Sequence, residues 1–467
     1  MSIRLNILEL DRDELERLVR TAQVPIAVYG LGYVGLSVAA VWLRAGAKVV
    51  GVDVDESKVE AANRGSIGSW EREVVDALKR GLIESKFRAT SDGISASAEC
   101  PVKIVTVPVY LAGDSPDYAA LEEVSRVIGR GLEAGDLVVV ESSAPPGTTE
   151  EIVLPVLEEE SGLACEREFG LAYSPERVYI GRAVRDIEER YPKIVAGVGP
   201  RSARAAENLY SIVARKGTIV LPGPVYAELE KLLEGVYRYV NIALANELAE
   251  LCAMLGIDYE LVAKAANSQP YCHLHKPGPG VGGFCIPVYS RFVAHVASRL
   301  GVELGLLERA REVNDEMPER VVELVVRTAR EAEIGEPRVA ILGLAFRGGV
   351  GDTRLSPSYQ IVRKLLERGL SVLAVHDPYV ESDERLEDLG VRLAKDLGEA
   401  LRGANVVVIA TDHPQYEALE LEHLKKASSS EIMVVVDSRR IVANWRNPPP
   451  GVYYVGIGRP LVRPGKR

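Results

Sequence analysis

No two of the five cysteines form a CxxC pair, and Cys100, Cys165, Cys252, Cys272 and Cys285 are scattered along the chain and odd in number. That argues against a disulfide framework or a cysteine zinc site and predicts reduced thiols. Long hydrophobic runs are missing too. Although 47% of the residues are apolar, charge or glycine interrupts each run well before the ~18 residues that a spanning helix needs, so no membrane segment is expected. Near Met1 stand Arg4 and an acidic stretch, Asp11, Asp13, Glu14 and Glu16, in place of an apolar signal region, and the expectation is a cytoplasmic protein. Positive charge is not in excess. A net charge of -11 makes nucleic acid or an acidic membrane an unsuitable main partner, while local Arg and Lys can still bind a small anion. His273 and His275, two apart with no nearby acid, read as polar loop residues, and no metal is expected. Gln is scarce and charged residues abundant, a bias of heat-adapted proteins.

What is present points to an α/β protein. A chain of 467 residues exceeds one ordinary core and predicts two or three domains. A short amphipathic helix over 11–22 precedes a strand at Ile26 to Tyr29. Further β-branched runs follow at Val49 to Val54, Val102 to Val107, Leu137 to Glu141 and Phe169 to Tyr173, separated by helical patterns, as a parallel sheet with crossover helices requires. From Pro222 to Arg330 the pattern turns helical, with long periodic stretches at Glu228 to Leu255 and Leu300 to Glu331. Strand and turn return at Val339 to Leu344, echoing Ile26 to Leu31, with more strands at Val372 to His376, Val406 to Ala410 and Met433 to Asp437. The expected fold is two Rossmann-like doubly wound domains joined by a long central helix and helical connector. Its boundaries are 1–221, 222–332 and 333–467, with residues 442–467 read as a loosely held tail.

Two motifs carry chemistry. Gly30-Leu31-Gly32-Tyr33-Val34-Gly35 fits GxGxxG between strand and helix, and Asp53 ends the next strand about 20 residues on. The glycines permit a tight turn and the approach of a pyrophosphate to a helix N-terminus, and Asp53 suits ribose hydroxyls, which favours NAD over its 2′-phosphorylated relative. A glycine turn without a ligand is the weaker alternative. Lys276-Pro277-Gly278-Pro279-Gly280-Val281-Gly282-Gly283-Phe284-Cys285-Ile286-Pro287 sets Cys285 at the end of a loop whose glycines allow close backbone approach to a ligand and whose prolines stiffen it. Most free cysteines are inert. Here a thiol combined with a nicotinamide suggests oxidation of an aldehyde through a thioester. Lys231, taken alone, reads as a solvated charge at the start of a helix. Glu176, after a strand, reads equally as a site residue or a helix-start acid.

These residues, with Pro145-Pro146-Gly147-Thr148-Thr149, Ser174-Pro175-Glu176-Arg177, Val240 to Glu247, Gly351-Asp352-Thr353-Arg354 and Ala410-Thr411-Asp412-His413 in the same order, resemble the UDP-glucose/GDP-mannose dehydrogenase family, most closely its UDP-N-acetyl-D-mannosamine dehydrogenase branch. The resemblance implies NAD-dependent, four-electron oxidation of the C6 alcohol of a UDP-sugar, N-acetylmannosamine-like or glucose-like, to a carboxylate. It implies Cys285 as nucleophile, Lys231 as oxyanion stabiliser and Glu176 in proton transfer. It also implies NAD contacts at Gly30, Gly32, Tyr33, Val34, Gly35, Asp53, Pro108 and Ser143, and substrate contacts at Arg177, Asn241, Lys276, Gly282, Arg347 and Arg354. A homodimer through the central helix is implied as well. Departures accompany the matches. Gly235 stands where the family has a catalytic Asn and Tyr289 where it has a catalytic Asp. Phe284 replaces His, Ser290 replaces Pro, Val109-Tyr110 replaces Thr-Pro, Ser143 replaces Thr and Arg347 replaces Lys. Loss of the Asn and Asp leaves two alternatives beside full activity: impaired thioester hydrolysis, or a subunit that binds NAD or a nucleotide sugar without catalysis.

Overall fold

The structure is a computed structural model that describes residues 5–66 and 71–465. The chain divides into two compact units, Met1–Glu234 with Arg291–Gly301, and Gly235–Ser290 with Val302–Arg467. Two helices, Pro224–Met254 and Cys285–Arg299, run through the points of division and contribute residues to both.

The first unit is built on ten strands: β1 Ile26–Tyr29, β2 Val49–Val52, β3 Phe87–Thr90, β4 Val102–Val105, β5 Tyr110–Ala112, β6 Ser115–Asp117, β7 Leu137–Val140, β8 Gly170–Tyr173, β9 Lys193–Gly197 and β10 Thr218–Val220. β5 and β6 form a separate hairpin, and the other eight make one sheet in the order β10-β9-β8-β7-β4-β1-β2-β3. β1, β2, β4 and β7 are buried at every residue, as strands covered on both faces are, and Lys103, the charged residue of β4, is paired there with Asp136. In the eight-stranded sheet each pairing is parallel except β8 with β9, which is antiparallel, as is the β5–β6 hairpin. The expected strands end earlier than the sequence suggests, at Val52, Val105 and Val140. Asp53, Thr106 and Glu141 therefore stand just beyond the carboxyl ends, where ligand sites of doubly wound sheets gather.

The second unit repeats the plan with β11 Arg338–Leu342, β12 Ser371–His376, β13 Leu393–Ala394, β14 Val406–Ile409, β15 Met433–Asp437, β16 Val452–Gly456 and β17 Arg459–Val462, in the order β13-β12-β11-β14-β15-β16-β17. Helix Gly305–Glu331 buries Met317, Val321, Val322 and Val325 in the same core as Val339, Ile341, Val406 and Val408. The expectation of a loose tail over 442–467 is wrong. Trp445 and Tyr454 are buried in the core with ring centroids 5.7 Å apart, and β16 pairs with β15. The Pro- and Gly-rich composition reflects tight turns between short buried strands rather than disorder. Among the described residues no helix is long and apolar enough to cross a membrane.

Candidate active site

The glycine turn lies at the carboxyl end of β1. Gly30 has φ +99°, and a Cβ there would sit 3.1 Å from Thr106 Oγ1, which donates to the Tyr29 and Gly30 carbonyls. A Cβ on Gly35 would lie 1.8 Å from the Gly30 carbonyl oxygen, so only glycine lets the helix Tyr33–Arg44 start against the turn. Gly32 differs, because a Cβ there would meet nothing within 4 Å, and no side chain caps the helix it opens. The helix therefore keeps uncapped N–H groups at an open end, which is what a pyrophosphate requires. Asp53 Oδ2 accepts the Leu31 N–H at 2.8 Å and Oδ1 accepts the Asp55 N–H at 3.0 Å, with Lys58 Nζ 3.5 Å away. The acid pins the turn as well as ending the strand. Tyr33 reaches across to Glu71, whose Oε1 also accepts the Gly181 and Ala183 N–H groups at 2.9 and 3.0 Å. Val34 and Ser143 are partly buried and Pro108 exposed. The residues present fit an NAD.

Lys231 and Glu176 do meet, within the first unit. Lys231 is buried rather than solvated, and its Nζ donates to the Glu176 carbonyl oxygen at 2.5 Å. It sits two turns inside the helix that begins at Pro224, so the reading of a surface charge at a helix start fails. Glu176 opens no helix either. It lies in the loop after β8, buried, and its carboxylate pairs with Lys193. Lys193 Nζ is also 3.4 Å from Glu141 Oε1 and 4.7 Å from the centre of the Tyr210 ring. Tyr210 hydroxyl hydrogen-bonds Glu141. Burial, reinforced by Glu176 and only partly offset by Lys193, pushes the Glu141 carboxyl up to about 7. Neither Glu141 nor Lys193 was singled out from sequence. The one available signal was the position of Glu141 immediately after a strand. Glu228, buried on the long helix, accepts from the Gly147 and Thr149 N–H groups at 2.6 and 2.8 Å and ties down the Pro-Pro-Gly-Thr-Thr turn. Arg177 faces Glu230 and Glu234 at 3.7 and 3.4 Å.

In the second unit Cys285 is exposed and is the first residue of its helix. A helix start leaves N–H groups without intrahelical partners and tolerates negative charge. The glycines before it approach the protein itself. A Cβ on Gly282 would lie 2.7 Å from both the Leu355 carbonyl oxygen and Phe346 Cβ, and one on Gly283, with φ +81°, 2.8 Å from the Phe346 ring. The Gly283 N–H donates to the Arg354 carbonyl at 2.9 Å. The Cys285 loop is thereby seated on the loop that carries Arg347 and Arg354, and the Arg354 guanidinium, paired with Asp352 at 2.7 Å, lies 5.7 Å from the Phe284 ring centre. Arg347 stacks 5.9 Å from Phe346. Lys276 is exposed and Asn241 partly buried. Asn246, not foreseen as a support, accepts the Gly278 N–H at 2.9 Å and donates to Asn314 at 3.1 Å, fixing the other end of the loop.

The two departures at 235 and 289 are one packing event. A Cβ on Gly235 would lie 2.7 Å from Tyr289 Cδ2 and 3.2 Å from its Cβ. Tyr289 is buried, and its ring takes the space that any larger residue at 235 would need.

Comparison with known proteins agrees with this arrangement along the chain. Residues 24–214 match the NAD-binding domain of the UDP-glucose/GDP-mannose dehydrogenase family, 225–316 its central domain and 340–444 its UDP-binding domain. The UDP-N-acetyl-D-mannosamine dehydrogenase of Pyrococcus horikoshii is 35% identical over 93% of this chain and 99% of its own. The NDP-N-acetyl-D-galactosaminuronic acid dehydrogenase of Ralstonia solanacearum is 33% identical over 91% of this chain and 98% of its own. Among solved structures, the UDP-D-ManNAc dehydrogenase of P. horikoshii superposes with a TM-score of 0.85 at 33% identity, covering 93% of this chain and 99% of that one. A UDP-glucose dehydrogenase of Pyrobaculum islandicum superposes with 0.82 at 30% identity, covering 93% and 98%. With its open NAD-type turn, its buried Lys231–Glu176 contact and all three domain matches, the chain belongs to the UDP-glucose/GDP-mannose dehydrogenase family and is an NAD-dependent oxidoreductase.

Proposed function

We propose that the protein oxidises the C6 alcohol of a UDP-sugar, N-acetylmannosamine-like or glucose-like, to the carboxylate, with Cys285 as covalent nucleophile. The observation that carries this reading is Cys285 itself, a free and exposed thiol at a helix start on a loop held rigid by Gly282, Gly283 and Asn246. NAD, when bound, takes up hydride in each of the two oxidations. Between them the Cys285 thiol adds to the C6 aldehyde as a thiohemiacetal, whose oxidation leaves a thioester. The buried Lys231 ammonium suits a developing oxyanion, and Glu176 takes a proton from the hydrolytic water. Arg347, Arg354 and Lys276 supply the positive charge that a nucleoside diphosphate needs, with Arg177, Asn241 and Gly282 as further substrate contacts. Pro108 and Ser143 join the glycine turn on the cofactor side. In this reading 1–221 binds NAD, 222–332 carries the cysteine loop and pairs two copies as a homodimer, 333–467 binds UDP, and the protein works in the cytoplasm.

A second reading, slow hydrolysis with a persistent thioester, is favoured by the replacement of the family Asn and Asp with Gly235 and Tyr289. NADH formation with a panel of UDP- and GDP-hexoses, followed by mass spectrometry of sugar and protein, separates the two. Two NADH per carboxylate support the first reading. Two NADH per site with a trapped Cys285 thioester and no free carboxylate support the second, and NADH turnover unchanged in Cys285→Ser would sink the covalent role in both.

A further inference from the structure

Beneath Glu176 lies a buried group of charges that no role so far explains. Strand β8 ends at Tyr173 and leads through Ser174 and Pro175 to Glu176, and β7 ends just before Glu141. In a wholly parallel sheet, the first residue of the next strand would lie at the opposite edge. β9 runs antiparallel to β8, so its first residue, Lys193, is delivered to the same carboxyl-terminal edge as both acids. There its ammonium pairs with Glu176, lies 3.4 Å from Glu141 Oε1 and 3.3 Å from the Pro175 carbonyl, and is 5% exposed. Tyr210, last residue of the helix Pro200–Tyr210, adds a hydroxyl to Glu141. Glu141 Oε2 makes no hydrogen bond.

The charge count decides what such a group does. Two carboxylates share the Lys193 ammonium, the buried Lys231 ammonium being bonded to the backbone carbonyl of Glu176, and in so dry a site the least costly arrangement keeps one proton on the carboxylate pair. Glu141 is the acid that holds it, because Glu176 has the closer ammonium and Glu141 has an oxygen that gives up no bond on protonation. The same count constrains Glu176. If it gained a proton alone, Lys193 would be left as a buried cation without a counterion.

We infer that Lys193 and Glu141 are positioning residues for Glu176: Lys193 holds its carboxylate in one orientation, and Glu141 gives up its proton as Glu176 takes one, so that the buried group keeps its net charge. The inference rests on the proposed thioester hydrolysis. In that step the water oxygen bonds to the thioester carbon, one water O–H breaks and its proton passes to Glu176, and the carbon–sulfur bond breaks with the sulfur ending as a thiol. The overall products are carboxylate, thiol and one released proton. The second water proton ends on the sulfur, Glu141 releases its own proton as Glu176 takes the first, and passage of that proton from Glu176 back to Glu141 restores the resting pair, so one proton leaves per turnover without an added reagent.

The test uses the full chain with NAD and the sugar nucleotide that wild type turns over best, following NADH, acid release and the Cys285 adduct across pH. Lys193→Met should keep the first NADH burst but slow acid release about 10²-fold, the scale of a misplaced catalytic group, with the adduct accumulating. Lys193→Arg should restore most of the rate. Glu141→Gln should remove the inflection near neutral pH from the hydrolytic step. Acid release and pH profile unchanged in both Lys193→Met and Glu141→Gln would overturn the inference. So would a parallel fall in every step together with thermal stability, which marks a purely structural role. A wild type that forms no NADH with any sugar of the panel rejects the proposed function itself, and this inference with it.

Discussion

Gly30 in the first unit and Gly343 in the second both leave the first strand of their sheet with positive φ, +99° and +106°, and both back onto a threonine, Thr106 or Thr411, beyond the neighbouring strand. In each unit an acid at the end of the second strand reaches the turn. Asp53 accepts the Leu31 N–H, and Asp377 accepts those of Leu344 and Ala345 at 2.8 and 2.9 Å. The units then part. The first enters its helix at once, at Tyr33, with the open Gly32 end. The second delays its helix to Pro357, caps it with Ser356, and fills the space at the turn with its own groups. His413 bonds Asp377 at 2.9 Å, and a Cβ on Gly348 would lie 1.9 Å from the Asp412 carbonyl. The inserted loop carries Arg347 and Arg354 instead. In the proposed reading one strand–turn device thus serves two kinds of anion site, one built from helix N–H groups and one from side-chain charge.

The largest effect should come from adding a methyl group to each turn. Gly35→Ala drives a Cβ to within 1.8 Å of the Gly30 carbonyl and should abolish measurable NAD binding. Gly343→Ala, which meets Thr411 at 2.2 Å with φ +106°, should lower stability by about 2–4 kcal/mol from overpacking and strain. It should leave NAD affinity within a few-fold of wild type. Equal loss of NAD binding in both variants would contradict the division of labour.

A smaller effect concerns the second unit's own departure. Gly235→Asn must displace the Tyr289 ring and should cost about 1–3 kcal/mol, whereas Gly235→Asn with Tyr289→Asp should cost less than the two single changes summed. A double-mutant cycle on chemical denaturation measures that coupling. Additivity would mean that the two positions were replaced independently.

The smallest expected effect distinguishes the units by pH. Burial raises the folded-state carboxyl of Glu141 from an ordinary 4.5 to about 7, so its contribution to stability is full below about 4.5 and is lost as pH rises through about 7. Asp377 is opposite in sign. Burial pushes its carboxyl up, but the hydrogen bond from His413, the charge of that histidine and the backbone N–H groups outweigh it and hold the carboxyl below 3.8. Its contribution is present above that value and lost as pH falls through the lower folded one. Melting curves from pH 3 to 8 should show Glu141→Gln flattening the upper side and Asp377→Asn the lower, each by a few °C. A Glu141→Gln profile parallel to wild type across the neutral range would remove the argument for a proton on that acid.

Much of the molecule could be read before any coordinates. The β-branched runs of β1, β2, β4, β7, β11, β14 and β15, the glycine turns, the long helix and the Cys285 loop each declare themselves over a few consecutive residues. Other features could not be read. Lys231 lies on a helix whose solvated and buried faces are about half a turn apart, and its burial against the Glu176 carbonyl depends on a residue 55 positions away. The strands Val452–Gly456 and Arg459–Val462 are short segments among prolines and glycines, and only their place beside β15 makes them core. The glycines at 282 and 283 announced a close approach but not its object, which proved to be Phe346 and Leu355.

The sequence by itself determined the α/β plan with two Rossmann-like parts, the NAD-type turn and the thiol at the end of a glycine-rich loop, because strand patterning, glycine φ and residue chemistry are local properties. Only the tertiary structure decided that Lys193 meets Glu141 and Glu176, since that depends on the reversal of β9 against β8, and that Gly235 and Tyr289 share one space. Those contacts join residues distant in the chain, and no local pattern fixes the direction of a strand or the neighbour of a missing Cβ.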